Sequence, residues 1–305
     1  MTDAWKLIEL LRAAGVPGPV EVHEIGGGTF NSTYRVAAGD RRWVLKVAPK
    51  AGGLSYEHDL LSTEAAFYRA AAGVLPVPEV VHLDTAKEIV PSDWLLMTEC
   101  PGVNWFEHAE QLAPHRGALR SQLGATVARL HRVTGTAFGY PQGERAPDWP
   151  TAFTSMMTAV LDDAAFYGVD LPVSADRVRG VLTAARETLA EVREPVLVHF
   201  DLWPGNVLVD GDRITGIVDG ERSFWGDPLA DMPSLGLFGL IEDDADFLAG
   251  YHLDLTSSAR IRLDLYRAYL YLIMTVEATP RGTTGGPLNQ LVHAHLRDAV
   301  ERLER

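Results

Sequence analysis

The chain has 305 residues, and its 27 lysines and arginines against 41 aspartates and glutamates give a formal net charge of −14 at pH 7. Hydrophobic residues make up 47% and charged residues 22%, a composition that excludes a disordered tail or a collagen-like chain. The single cysteine excludes an internal disulfide, and with it a disulfide-stapled secreted scaffold. The length permits one large domain or two lobes.

The same composition indicates the compartment and the class of partner. The first residues carry Asp3 and Glu9 and lack a basic segment followed by a long apolar run, so we expect no signal peptide and a cytoplasmic protein. No apolar run reaches about 18 residues, so we expect no membrane contact. The acidic balance disfavours nucleic acid and is compatible with a cationic small molecule. Without a long apolar heptad pattern, a monomer is expected.

The first hundred residues predict a mixed sheet with one helix. Alternating or β-branched runs predict strands at residues 21–25, 33–37, 43–47, 80–83 and 94–98. Between the third and fourth strands, apolar residues at helical spacing predict a helix that ends before two closely spaced prolines. That helix covers residues 56–72.

The rest of the chain predicts helices around a short β-rich insert. The insert covers residues 196–209 and 214–218. Helices are predicted along the apolar stripe of residues 119–130 and near 150–167, 174–192, 229–251, 257–278 and 288–304. We therefore expect an α+β fold with a β-rich lobe at 1–98, a hinge at 99–103 and a larger, mainly α lobe at 104–305.

The β-rich insert carries the residues most indicative of chemistry. His199, Asp201 and Asn206 lie on a loop between two apolar strands, and Asp219 follows the next strand. A fixed carboxylate can accept a proton from an alcohol, and an amide oxygen with a second carboxylate suits Mg²⁺. Phosphoryl transfer needs this combination of a base and metal ligands.

The N-terminal part supplies candidates for contact with phosphates. Lys46 lies inside an apolar strand, and a buried ammonium needs a partner. Glu64 on the following helix is that partner by hypothesis, and Glu57 is the rival. The hairpin from the glycines at 26–28 to Ser32 has backbone amides that could lie over phosphates.

With these residues, the sequence resembles the aminoglycoside phosphotransferase and choline-kinase-like family of small-molecule kinases, which has the protein-kinase-like fold. His199-x-Asp201-x-x-x-x-Asn206 matches the family's catalytic motif, and Asp219 follows Asn206 by 13 positions, the family's usual interval. Residues 95–102 resemble the hinge that holds adenine.

The resemblance implies ATP and Mg²⁺ as cofactors and gives roles to single residues. Asp201 would be the catalytic base, and Asn206 and Asp219 would hold Mg²⁺. Lys46 would contact the α- and β-phosphates, positioned by Glu64. The further roles implied are adenine contact by the backbone of Thr98 and Cys100, cover of the phosphates by Asn31 and Ser32, and structural support of the catalytic loop by His199 and Asp231.

Departures from the family pattern concentrate on the acceptor side. Phe200 replaces a frequent glycine, Trp203 replaces a frequent histidine, and Glu221 lies where an aromatic followed by a small residue is usual. The candidate acceptor-binding residues are Trp203, Glu221 and Trp225. Acidic runs at 162–163 and 242–246 could bind ammonium groups of an acceptor or serve as solvated helix starts.

We therefore expect an ATP-dependent O-phosphotransferase acting on a hydroxyl of a small molecule, an aminoglycoside-type or other antibiotic, with a role in antibiotic resistance. The alternative is a metabolic kinase of an aminosugar, a fructosamine or a choline-like alcohol. A non-catalytic nucleotide-binding protein is disfavoured because the lysine, the base and both metal ligands are present. A protein kinase is disfavoured because the segment after Asp219 is short.

Overall fold

The computed structural model describes residues 4–26, 31–49 and 53–305, and its N-terminal part is a sheet with one helix on each face. Helix α1 (Ala4–Ala13) covers one face, and α2 (Leu60–Ala71) lies on the other. Five strands within the described residues pair in antiparallel fashion in the order β1-β2-β3-β5-β4. They are β1 (Glu21–Ile25), β2 (Ser32–Ala38), β3 (Arg41–Val47), β4 (Val80–Asp84) and β5 (Trp94–Thr98).

The two-residue period of the strands decides which side chains reach the interior of the molecule. In β3, Trp43, Leu45 and Val47 point to the face covered by α1 and form part of its hydrophobic cluster. Val44 and Lys46 alternate with them and therefore point to the opposite face, where both line a large cleft. The strand thus places one buried lysine in the cleft.

The remainder of the chain is mainly helical and shares its core with α2. Two small antiparallel sheets pair β7 with β10 and join β6, β8 and β9. The strands are β6 (Val103–Asn104), β7 (Val196–Val198), β8 (Val207–Asp210), β9 (Arg213–Ile217) and β10 (Phe224–Gly226). The helices are α3 (Ala109–Leu112), α4 (Arg116–Leu130), α5 (Trp149–Phe166), α6 (Ala175–Ala184), α7 (Arg186–Leu189), α8 (Met232–Leu235), α9 (Ala245–Gly250), α10 (Ser257–Glu277) and α11 (Pro287–Leu303).

The predicted α+β arrangement is confirmed, with three differences in the helices. The helix predicted from residue 56 begins at Leu60, because Asp59 takes a left-handed backbone conformation with φ of 53°. The segment 174–192 divides into α6 and α7, since Ala185 leaves helical geometry between them. The segment 229–251 forms only short helices, interrupted where Phe238 has φ of 60°. A membrane span would require a long, nearly uncharged helix, and the described part of the chain contains none.

The connection from the large sheet to the helical part is fixed against a small sheet. Residues 99–102 link β5 to β6, and the Thr215 hydroxyl donates to the carbonyl of Pro101 at 2.6 Å. Gly102 has φ of 106°, and a Cβ there would lie 2.6 Å from the carbonyl oxygen of Val209. A glycine is therefore required at this junction, both for its backbone conformation and for its close approach to β8.

Substitution of two mid-helix glycines is expected to change the free energy of unfolding in opposite directions. A Cβ on Gly124 in α4 would lie 2.3 Å from the carbonyl oxygen of Phe247 in α9, whereas Gly180 in α6 has open space around it. We expect Gly124→Ala to lower the free energy of unfolding by about 1–3 kcal/mol through overpacking. Gly180→Ala should raise it by about 0.5–1 kcal/mol through helix propensity. Thermal unfolding of the two variants checks both signs, and equal shifts would contradict the close packing of α4 on α9.

Candidate active site

The loop after β7 is held by a buried aspartate from the short segment that follows β10. Asp231 is fully buried, and its carboxylate accepts from the backbone amides of His199 at 3.3 Å and Phe200 at 2.6 Å. The Ser234 hydroxyl accepts from the amide of Leu202 at 3.0 Å. Phe200 has φ of 66°, a strained conformation for a residue with a side chain. These bonds fix the backbone of the loop despite that strain.

His199 is part of this support, because both ring nitrogens are engaged. Nε2 lies 3.0 Å from the carbonyl oxygen of Val218, which can only accept. Nδ1 lies 3.3 Å from the backbone amide of Asp201, which can only donate. The partners therefore assign the neutral ring with its proton on Nε2. No nitrogen remains for acid or base chemistry, so the geometry is that of a structural histidine.

Asp201 and Asn206 face the cleft from this loop. The Asn206 side-chain amide donates to the backbone carbonyl of Asp201 at 2.7 Å, which leaves its Oδ1 for another partner. The Asp201 carboxylate lies 3.9 Å from Nε of Arg222. Burial raises the pKa of Asp201, and the positive charge of Arg222 opposes that rise.

Lys46 is the centre of the charges on the opposite wall. Its Nζ donates to both carboxylate oxygens of Glu64, at 2.7 and 2.9 Å, and to Oδ1 of Asp219 at 2.5 Å. Burial works against the ammonium, but the nearby carboxylates of Asp219 and Glu64 outweigh it and raise the pKa of Lys46. The lysine is therefore a permanent cation at the junction of the sheet, α2 and the segment after β9.

Tyr68 completes this junction and was not among the residues predicted for the site. Its hydroxyl donates to Glu64 at 2.5 Å and accepts from the backbone amide of Asp219 at 3.0 Å. It lies four residues after Glu64 on α2, on the same face of the helix, and this spacing is the signal that could have found it. One hydroxyl thus links the helix to the backbone of a predicted metal ligand.

Glu221, a candidate for acceptor binding, lies beside Glu64 and Asp219 at the Lys46 end of the cleft. It accepts from the Asn31 side-chain amide at 2.6 Å, and its carboxylate approaches those of Glu64 and Asp219 closely enough for the three to share a cation. Burial and the neighbouring Asp219 raise the pKa of Glu221 to about 8. The segment that starts at Asp219 thus brings a second carboxylate close to Lys46.

A single cleft of about 1980 Å³ brings together most of the predicted residues. Its walls come from the large sheet, the link between the two parts of the chain, the loop of residues 199–206 after β7, and α10. The predicted residues that line it are Asn31, Lys46, Thr98, Cys100, Asp201, Trp203, Asn206, Asp219 and Glu221. The four groups on which phosphoryl transfer would depend, from residues 46, 201, 206 and 219, therefore share one space.

Two predicted site residues lie elsewhere. Trp225 belongs to β10, exchanges backbone hydrogen bonds with Gly139, and has the guanidinium of Arg145 over its ring. It lies outside the cleft that the other two candidate acceptor residues line, since β10 pairs with β7. Ser32 begins β2 opposite Val47 and is not among the residues that line the cleft. Most of the predicted glycine hairpin, residues 27–30, lies outside the described residues.

The rival partner of Lys46 has a different role. Glu57 lies in the loop before α2, where its carboxylate accepts from the backbone amide of Leu54 at 2.8 Å and from Arg281 at 2.6 Å. The acidic residues at 162–163 do not line the cleft, and Asp163 accepts from the amide and hydroxyl of Ser55. Both carboxylates fix the loop that leads into α2.

Comparison with known proteins agrees with this geometry. The chain matches the sequence model of the phosphotransferase enzyme family over residues 21–266. A probable ketoamine kinase of Lactiplantibacillus plantarum is 26% identical over 283 residues, which cover 88% of this chain and 91% of the relative. The hygromycin-B 4-O-kinase of Escherichia coli is 23% identical over 258 residues, covering 81% of this chain and 72% of the relative.

Solved structures show the same fold at low sequence identity. A thermostable mutant of an aminoglycoside phosphotransferase, in a ternary complex with ADP and hygromycin B, aligns with a TM-score of 0.70 at 20% identity, covering 96% of this chain and 97% of that one. A putative fructosamine-3-kinase from Haemophilus somnus aligns with a TM-score of 0.70 at 14% identity, covering 97% and 95%. The predicted protein-kinase-like fold is confirmed. Because the family model matches most of its length, the chain belongs to the phosphotransferase enzyme family.

Proposed function

We propose that the chain transfers the γ-phosphate of ATP to a hydroxyl group of a small molecule bound in the same cleft. As a member of its family the chain is a small-molecule kinase. The observation that carries the proposal is the convergence of Lys46, Asp201, Asn206 and Asp219 on one cleft, from distant parts of the sequence. These groups supply the charge, the base and the oxygen ligands that phosphoryl transfer needs.

The oxygen donors of the cleft fit Mg²⁺. Asn206 has a free Oδ1, and the side chain of Asp219 is 38% exposed beside it in the cleft. Oδ1 of Asn31 is buried without a hydrogen-bond partner among the described residues, as expected for an atom that awaits a ligand. Asn206 and Asp219 would hold the metal, which when bound neutralises charge on the phosphates.

Nucleotide binding is proposed for the sheet and the link to the helical part. Lys46 would contact the phosphates, and Glu64 and Tyr68 keep its ammonium at the correct end of the cleft. Thr98 and Cys100 line the cleft in or just after β5, where their backbone would meet adenine. Residues 99–103 would then be the hinge between a nucleotide-binding lobe and a lobe that binds the acceptor.

Asp201 is the proposed base. It would accept a hydrogen bond from the acceptor hydroxyl and hold its oxygen in line with the γ-phosphate. Arg222 lies 3.9 Å away and favours the ionised carboxylate. The proton passes to Asp201 Oδ as the new oxygen–phosphorus bond forms, and ADP leaves.

Two acceptor classes follow from the comparisons. Hygromycin-B 4-O-kinase among the relatives favours an aminoglycoside-type or other antibiotic, and the ketoamine kinases favour an aminosugar or fructosamine. A panel assay that couples ADP release to candidate acceptors tests both, and resistance conferred on a sensitive host distinguishes detoxification from metabolism. Stimulation by a free sugar amine and by no antibiotic would reject the first class.

The role of Asp201 makes a sharp kinetic prediction. Asp201→Ala should lower kcat by several orders of magnitude and leave ATP affinity nearly unchanged, because the carboxylate acts on the acceptor and not on the nucleotide. Steady-state kinetics and ATP titration measure the two effects. Asp176→Ala is the control, since that side chain is 95% exposed and distant from the cleft. Turnover within about tenfold of the unsubstituted chain, or ~1.4 kcal/mol of barrier, would show that Asp201 is not the base.

The single cysteine gives a second prediction. Burial and the carboxylate of Glu99 raise the pKa of Cys100 to about 11. At pH 7.5 the thiolate fraction, and with it the rate of iodoacetamide modification, should be about 100-fold lower than for an exposed cysteine. The rate should rise about tenfold per pH unit below that pKa, because each unit multiplies the thiolate fraction tenfold.

Mass spectrometry of the alkylated chain measures this rate, with the chain unfolded in guanidinium chloride as the reference. If the adenine lies against residues 98–100, saturating ATP with Mg²⁺ should lower the rate further. Equal rates with and without nucleotide would contradict the proposed adenine contact, and equal rates in the folded and unfolded chain would contradict the burial of the thiol.

A further inference from the structure

The acceptor end of the cleft has an exposed apolar wall. Three large apolar side chains on it are accessible to solvent: Phe106 is 59% exposed, Leu240 is 44% exposed and Leu288 is 60% exposed. They come from three separate segments, after β6, between α8 and α9, and at the start of α11. They line the same cleft as Trp203 of the loop after β7, and we call these four side chains the apolar wall. Exposed apolar groups that converge on one concave surface indicate a binding site.

The part of the wall next to the base is rigid. The Trp203 indole lies directly on Gly205, where an added Cβ would be 2.2 Å from Cζ2 of the indole. Phe106 meets Trp203 edge to face with 5.0 Å between ring centroids. Asn104 fixes this pair, since its amide donates to the carbonyl of Gly205 at 2.6 Å and its Oδ1 accepts from the amide of Glu107 at 3.1 Å. Trp203 follows Asp201 by two residues, so this pair of rings is held next to the loop that carries the proposed base.

Several acidic groups near the wall are already neutralised within the chain. Asp244 pairs with Arg120 at 2.7 Å, and Glu277 pairs with Arg222 at 2.7 Å and with Arg281 at 3.2 Å. Glu242, another member of the predicted acidic run, is bonded to Arg267. Asp243 and Asp246 remain exposed at the rim. Three of the acidic groups near the wall are thus already compensated by arginines of the same chain.

The size of the cleft is compatible with a bulky acceptor. A pocket for one drug-sized ligand measures about 300–1,000 Å³, and this cleft has about 1980 Å³. It has room for a nucleotide and for an acceptor larger than one sugar ring.

We propose that the acceptor is a bulky hydroxyl compound with an apolar face, which packs on Phe106, Trp203, Leu240 and Leu288, and not a compact polycation. This inference rests on the proposed function, and it names the class of acceptor within it. The apolar face supplies binding energy remote from the reacting hydroxyl and orients that hydroxyl toward Asp201.

Three probes test the wall through binding, without any requirement for turnover. Octyl 2-amino-2-deoxyglucoside and free 2-amino-2-deoxyglucose share one sugar amine and differ in apolar body, and kanamycin is a polar polycation. Calorimetry on the full chain with ADP and Mg²⁺ should give a dissociation constant for the octyl compound at least about tenfold below those of the other two. Its binding should also have the more negative heat-capacity change, because apolar surface is buried.

Variants of the exposed residues connect this preference to the wall. Phe106→Ala and Leu288→Ala should each weaken binding of the octyl compound about tenfold and leave kanamycin unaffected. Phe166→Ala is the matched control, since Phe166 is 81% exposed and lies outside the cleft. Tightest binding of kanamycin, absence of octyl-compound binding, or variants that behave like Phe166→Ala would each overturn the inference.

ADP release measured with the same probes separates the two proposals. Preferential binding of the octyl compound without phosphorylation of any acceptor, including the wider panel, supports the wall and contradicts the proposed function. Phosphorylation of kanamycin as the preferred acceptor supports the proposed function and contradicts the proposal that the acceptor packs on the apolar wall.

Discussion

The structure depends on one ammonium shared by two carboxylates from distant parts of the chain. Lys46 of β3 bonds to Glu64 of α2 and to Asp219 after β9, so the sheet, the helix and the segment of the proposed metal ligand meet at a single charge. Because the ammonium is buried, loss of both carboxylates would leave an uncompensated charge, a defect that typically costs about 3–5 kcal/mol. Tyr68 joins the two carboxylate-bearing segments directly. The ion group therefore assembles the site and stabilises the contact between the two parts of the fold.

The loop after β7, which carries the proposed base, is held by backbone hydrogen bonds and not by an ion group. Its backbone is strained at Phe200, and one buried acid accepts hydrogen bonds from it. Asp231 accepts from the amides of residues 199 and 200, and His199 fills the space between the loop and the strand before Asp219. This arrangement fixes the backbone that carries Asp201, while its carboxylate makes a long ion pair with Arg222 and has no closer side-chain partner among the described residues. A base that is fixed through its backbone retains a free carboxylate for the acceptor, which is the requirement for orienting a hydroxyl group.

The sequence predicted those features that depend on local pattern or motif spacing. All five strands of the large sheet follow from alternation, and the convergence of residues 46, 201, 206 and 219 was implied by the resemblance of their motif to a known kinase family. Features that depend on tertiary contacts were missed. Asp59 starts α2 late through a backbone conformation with no clear sequence signal, and Trp225 was assigned to the acceptor by residue type, although β10 carries it away. The position of Glu221 beside Glu64 and Asp219 was missed, because the direction of a side chain after a left-handed Asp219 cannot be read from spacing.

The acceptor end shows why net charge is a poor guide to a binding site. The chain carries −14 overall, which favours a cationic ligand at long range. Close contacts are decided by the few groups that line the pocket, and there the carboxylates of Asp244 and Glu277 are bonded to arginines of the same chain. A bound amine would compete with those arginines at Asp244 and Glu277 and would otherwise meet the exposed carboxylates of Asp243 and Asp246 at the rim, whereas an apolar body displaces water from Phe106 and Leu288. The desolvation balance therefore favours the apolar acceptor, even though the distant field of the protein attracts cations.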